Sequence, residues 1–209
     1  MPLWSTGEDR IKRGDTVMEF EDLVKSRRSC RSFESSLIPD DQIDLILDAG
    51  RWAPSPLNLQ PWEFIIITDP DIKAEVRGVA EEAKQEVLHK DGPKWVTGYG
   101  IDFLEEAPVL IVVLVDPSRA GLGSFFGQKH GAVQAASACI QNMILAAADQ
   151  GLGALWFTFF RPERLKAVLG VPEQLEIAGV IPLGRPGDKK KAIPRRDIKI
   201  YNQRYILGA

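Results

Sequence analysis

Apolar positions along the chain fall into two patterns, one recurring every three or four residues and the other unbroken. Over residues 18–27, Phe20, Leu23 and Val24 stand at i, i+3 and i+4, which predicts a helix. A second helix opens at Pro39 and Asp40 and carries Asp41 in its first turn. It buries a stripe of Ile43, Ile46 and Leu47 and ends near Arg51 or Trp52, because Pro54 follows. Unbroken apolar stretches within 62–68 and over 109–115 predict buried strands. Between them lie a Glu/Lys-rich helical stretch, about 71–89, and a loop or mobile lid over 90–104 with Gly92, Pro93, Gly98 and Gly100. Residues 131–150 form a long Ala-rich helix whose apolar surface, with Val133, Ala136, Ile140, Met143, Ile144 and Ala147, is wide enough for a core or a subunit interface. A strand over 152–159, a helix over 162–169 stopped by Gly170 and Pro172, and a strand over 177–183 complete the order. Such alternation predicts mixed α and β layers around a sheet of about four strands, with the topology open.

Charge and cysteine usage exclude several functions. A formal net charge of −3 over 209 residues leaves no broad basic surface, so no nucleic-acid partner is expected. Residues 1–17 read as a polar N-terminal arm without the apolar core of a signal peptide, and 18–209 as one domain. The unbroken apolar runs are too short to cross a bilayer, so no membrane is expected either. Cys30 and Cys139 stand alone. They argue for a reducing, cytoplasmic setting and against a disulfide framework or a cysteine-rich metal site, so no metal is expected.

Three segments could carry chemistry. Arg27, Arg28, Ser29 and Arg31 place three guanidiniums and a hydroxyl within five residues, a donor set suited to a phosphomonoester, although a solvated charge run looks the same. Residues 53–62 hold Pro54, Ser55, Pro56, Asn58 and Gln60 in a stiff loop that could present amides to a planar heteroaromatic edge, or simply be structural. Gly151, Gly153, Trp156, Phe157 and Thr158 allow close backbone approach and offer a ring to pack on, or the core packing of a strand. The glycine pair lacks the third glycine and the following helix of a dinucleotide fingerprint. His89 and His130 read as surface or capping residues, and no acid–base pair is visible.

Taken in order, these segments resemble the nitroreductase family. Its R-R-S-x-R-x-F segment matches Arg27 to Phe33, its A-P-S-x-x-N-x-Q-P-W segment matches Ala53 to Trp62, and its G-L-G-x-x-W matches Gly151 to Trp156. A following L-G-(I/V)-P matches Leu169 to Pro172, and a closing I-x-x-G-x-P with a basic stretch matches Ile181 to Pro186 and Arg195-Arg196. The resemblance spans about residues 18–205. It implies an α+β nitroreductase-like fold, with a central mixed or antiparallel sheet flanked by helices. It further implies a long dimer-interface helix and a C-terminal extension over the partner subunit.

The same resemblance implies a homodimer binding FMN in two interface sites. Arg27, Arg28, Ser29 and Arg31 would hold the phosphate and ribityl chain, with Arg196 and Arg195 returning to the phosphate. Pro54, Ser55, Pro56 and Asn58 of the other subunit would lie on the isoalloxazine. Trp156, Phe157 and Thr158 would face its pyrimidine edge and N5 side, with Gln134 near the ring edge. The implied activity is hydride transfer from NAD(P)H through flavin N5, rather than through a catalytic side chain, to an electron-poor small molecule such as a nitroaromatic or a quinone. The stretch 83–103 favours a substrate chamber, hence an enzyme over a non-catalytic flavin-binding or sensory protein of the same fold. A deiodinase branch is similar at Lys94 to Thr97 and Ala107-Pro108, but Val87 stands where that branch has Tyr. A flavin-fragmenting branch is similar at the first two motifs.

Overall fold

Seven consecutive apolar residues, Val109–Val115, leave no side of their strand suited to water, so the strand has to be covered on both faces. In the computed structural model, which describes residues 19–187 and 193–205, this strand lies inside a four-stranded sheet. The strands are β1 (Trp62–Ile67), β2 (Val109–Val115), β3 (Gly153–Ala154) and β4 (Glu176–Gly184), in the order β1-β2-β4-β3 with every pair antiparallel. The polar arm expected over 1–17 and the lysines Lys189, Lys190 and Lys191 lie outside the described residues.

Helices cover both faces. They are α1 (Phe20–Ser26), α2 (Asp40–Arg51), α3 (Pro70–His89), the short α4 (Phe103–Glu106), α5 (Gly131–Asp149) and α6 (Pro162–Leu169). Alternation along β2 divides the core. Val109, Ile111 and Val113 pack with Ile46 of α2 and with Ile140 and Met143 of α5, whereas Leu110, Val112 and Leu114 pack with Val76 and Ala80 of α3 and Leu165 of α6. Each of the buried Val, Leu, Ile and Met side chains among these contributes about 1.5–3 kcal/mol. The termini follow the sequence signals. Asp69 accepts hydrogen bonds from the N–H groups of Asp71 (2.8 Å) and Ile72 (3.2 Å) where α3 begins, and Gly170 ends α6 in the left-handed region at φ 64°.

Two expectations change. The strand over 152–159 shrinks to β3 and one isolated bridge, Phe157 to Val180. Its partner β4 has Pro182 opposite Leu155, and proline has no N–H to give, so the ladder cannot continue between these points. The loop over 90–104 is anchored rather than free. Val96, Ile101, Phe103 and Leu104 are buried, and the Lys73 ammonium donates to the carbonyls of Glu105 (3.0 Å) and Ala107 (2.9 Å).

Helix α5 is long and apolar enough to cross a membrane by length and composition. Ile140 and Met143 nevertheless sit fully buried against the sheet, as in a core helix, while Val133, Gln134 and Gln141 are exposed on its other side.

Candidate active site

Beyond α1 the chain turns extended at Arg27 and runs beside the β3 end of the sheet. Ser29 bridges Ala154, the Cys30 N–H donates to the Ala154 carbonyl (3.0 Å), and the Glu34 N–H donates to the Arg185 carbonyl (3.0 Å). Only a residue without a side chain fits at Gly153. A Cβ there would lie 2.7 Å from the Cys30 Sγ and 2.9 Å from its Cβ. Gly153 thus lets the arginine segment lie against the sheet.

The arginines divide into two roles. Arg28 donates to the carbonyls of Lys25 and Arg27 (2.7 Å for the latter), closing the carbonyl end of α1. Arg27 is half-buried, and its pKa is lowered first by that burial and then by the charges of Arg195 and Arg28. Cations from opposite ends of the chain therefore converge, and among the described residues none of the three forms an ion pair with a carboxylate. Like charges held together with partial desolvation are costly unless an anion joins them. A phosphate dianion meets that requirement, since guanidinium forks match its oxygens. The arrangement fits the phosphate of FMN.

Arg31 points elsewhere. Its Nε donates to the Tyr99 hydroxyl (3.3 Å), and its guanidinium lies 5.7 Å from the Tyr99 ring centre. Tyr99 is in turn packed edge-on against Trp95, Phe103 and Phe159. Arg31, Tyr99, Asp102 and Glu106 line a cavity of about 290 Å³. Trp156 and Thr158 are exposed on the same extended segment, with the Trp156 Nε1–H donating to the Ala178 carbonyl (3.0 Å). Phe157 alternates inward, only 2% exposed and edge-on to Phe103 at 5.6 Å, so its ring packs into the core.

The proline loop is held in a strained form. Leu57, Asn58 and Gln60 all have left-handed backbones (φ 50°, 57° and 45°), each costing about 1–2 kcal/mol for a residue with a Cβ. The Ser55 hydroxyl, accepting from the Gln60 N–H (3.0 Å), and a Gln60 to Asn58 side-chain bond (3.2 Å) hold this shape. Backbone outliers of this kind persist only where the surrounding hydrogen bonds hold them in place. Pro54 is exposed and Pro56 half-buried, and Pro56 packs where α5 begins: a Cβ on Gly131 would lie 3.3 Å from its Cγ. Gln134 is exposed one turn further on. Cys30 and Gly153 lie just past the other end of α5, whose 19 residues span about 28 Å. Within one chain, the loop and the arginines are therefore separated by the length of that helix.

A model of the nitroreductase family matches residues 24–185. The chain belongs to the nitroreductase family. It is thus a flavin-dependent oxidoreductase with the expected α+β fold. Among its relatives, an Archaeoglobus fulgidus protein named "Putative NADH dehydrogenase/NAD(P)H nitroreductase" is 33% identical over 80% of this chain and 86% of its own. An iodotyrosine deiodinase of Thermotoga neapolitana is 27% identical, over 87% of this chain and 96% of its own. A crystal structure of oxidized iodotyrosine deiodinase bound to FMN and 3-iodo-L-tyrosine superposes with a TM-score of 0.77 at 24% identity, covering 88% of this chain and 99% of that one.

For a nitroreductase-family chain, the sequence marked the arginine segment and the loop but not every contact. At the C-terminal return the charge of Arg195 reaches Arg27, and Arg195 and Arg196 are both exposed. Tyr99 carried no signal beyond its place among glycines, because its neighbours Arg31 and Phe159 are remote in sequence.

Proposed function

We propose that this chain acts as a homodimer binding FMN between its copies, oxidising NAD(P)H and reducing an electron-poor small molecule. The observation that carries this reading is the convergence of Arg27, Arg28 and Arg195 with no carboxylate among the described residues to balance them. When bound, FMN supplies hydride transfer at N5, accepting from NAD(P)H and giving to an acceptor such as a nitroaromatic or quinone. Arg27 and Arg195 hold the phosphate. Arg28 fixes the end of α1 so that Arg27 stays aimed, and the Ser29 backbone keeps the segment on Ala154. Because Pro56 and the arginines stand at opposite ends of α5, the loop with Pro54, Ser55, Pro56 and Asn58 covers the isoalloxazine of the other copy and excludes water there. Exposed Phe20 and Trp52, with Leu145, line a 470 Å³ groove along α5, which supports α5 as the seam between copies. A cytoplasmic setting is supported by two buried free cysteines, one of them, Cys139, pushed up to about 12 by burial.

Arg27→Ala and Arg195→Ala should each weaken FMN retention by about 1.5–3 kcal/mol, the worth of a hydrogen bond to a charged group. Flavin absorbance after gel filtration measures it, and undiminished retention in both variants would sink the phosphate assignment. The iodotyrosine deiodinase relative favours a second reading, reductive dehalogenation. The two separate on 3-iodotyrosine, which only a dehalogenase converts with release of iodide.

A further inference from the structure

Among the described residues only two charged side chains are buried, Asp48 at 5% exposure and Lys73 at 8%. Asp48 has a cation, Arg51, against it. Lys73 has no such counterpart, since no carboxylate of the described residues comes within ion-pair distance of it. A buried ammonium is costly unless its donors are satisfied. Those of Lys73 reach across from α3 to the carbonyls of Glu105 (3.0 Å) and Ala107 (2.9 Å). Both carbonyls lie where α4 stops at Glu106 ahead of Pro108, so no helical N–H follows to take them. One turn along α3, on the same face, Arg77 grips Asp102 with two donors at 3.1 and 2.8 Å. Residues 102–107 are thus fastened to α3 at two points, one buried and one exposed.

The fastening decides where Tyr99 stands. Tyr99 meets the Phe103 ring edge-on at 6.5 Å, and its hydroxyl accepts from the Arg31 Nε at 3.3 Å. Arg31 comes from the extended run that also carries Arg27, and period two turns both to one side while Cys30 faces Gly153. The cavity of about 290 Å³ between Arg31 and this segment therefore lies on the Arg27 side of the run. It is at the small end for a small-molecule pocket, so a modest shift of its wall changes what fits. We infer that Lys73 is a positioning residue for the acceptor: its buried ammonium holds residues 102–107 on α3 and so keeps Tyr99 against Arg31 in the wall of that cavity. This rests on the flavin reading above. Lys73 acts through the segment and not by contact with the acceptor.

Oxidised, FMN-loaded protein is titrated with nitrobenzene, without a reductant, and the change in flavin absorbance gives Kd. An apparent Kd is the intrinsic one divided by the fraction of molecules holding the binding shape. Lys73→Met keeps the length of the side chain and removes its donors. It should raise Kd about tenfold at unchanged flavin content, a hydrogen bond to a charged group being worth at least that factor. Hydrogen exchange of the unliganded protein should rise over residues 94–107 and stay level in β2. Tyr99→Phe leaves the core untouched, Tyr99 being half-buried, and should weaken nitrobenzene binding as well. Added to Lys73→Met it should change nothing further, because the hydroxyl is no longer delivered to Arg31. An unchanged Kd in either single variant overturns the inference. Exchange that rises equally in β2 also overturns it, since Lys73 would then support the fold at large. So does a double variant weakened by the product of the two single effects, because the two residues would then act independently. Failure of wild-type protein to hold FMN marks failure of the flavin reading instead.

Discussion

At the scale of single residues, Gly153 shows how one missing side chain positions charge. Gly153 was visible in the sequence as one of a glycine pair, but its reason was not, because the atom it makes room for belongs to Cys30, far away in the chain. Gly153→Ala puts a methyl group where the Cys30 Sγ lies at 2.7 Å, and the arginine segment has to move off β3. The expected outcome is about 1–3 kcal/mol of overpacking together with loss of FMN retention, measured by thermal unfolding and flavin absorbance. Full stability and full flavin content would mean that the segment need not lie on the sheet. Phe157 teaches the converse. Period two in an extended segment sends Trp156 and Thr158 outward and Phe157 inward, and three neighbouring residues cannot share one ligand face.

Between elements, α3 and α6 are joined by charge at the surface. Arg161 and Lys90 both donate to Glu86, and Arg164 donates to Glu82 at 2.9 and 3.0 Å. The donors hold the Glu86 carboxyl down to about 2, well below its ordinary 4.5. A carboxyl depressed in the folded state contributes stability above its ordinary pKa, and that contribution disappears as pH falls through the folded value. Glu86→Gln should therefore lower Tm near neutral pH, with the difference closing between pH 4.5 and about 2 and also shrinking in high salt. A Tm difference that persists at the acid end would assign the effect to packing. Element by element, the helices and β2 were legible because their apolar spacing is unambiguous. The short β3 was not, since what ends it is Pro182 on a strand that comes later in the chain.

For the whole molecule, the decisive fact is the place of α5. The sequence showed a helix apolar over a wide surface and left open whether that surface faced a core or a partner. Ile140 and Met143 prove to be core, so changing them tests folding rather than assembly. The opposite side, where Leu145 lines a groove with Phe20 and Trp52, is the one available to a second copy. The separation of loop and arginines along this helix could not be read from the sequence, where both simply flank secondary structure.

The most direct measurement is therefore sedimentation of Leu145→Glu, followed at protein and flavin wavelengths together. If flavin is held by the arginines of one copy under the loop of the other, the charged face yields a folded monomer whose flavin sediments separately as free FMN. A folded monomer that carries one flavin per chain would contradict the shared site.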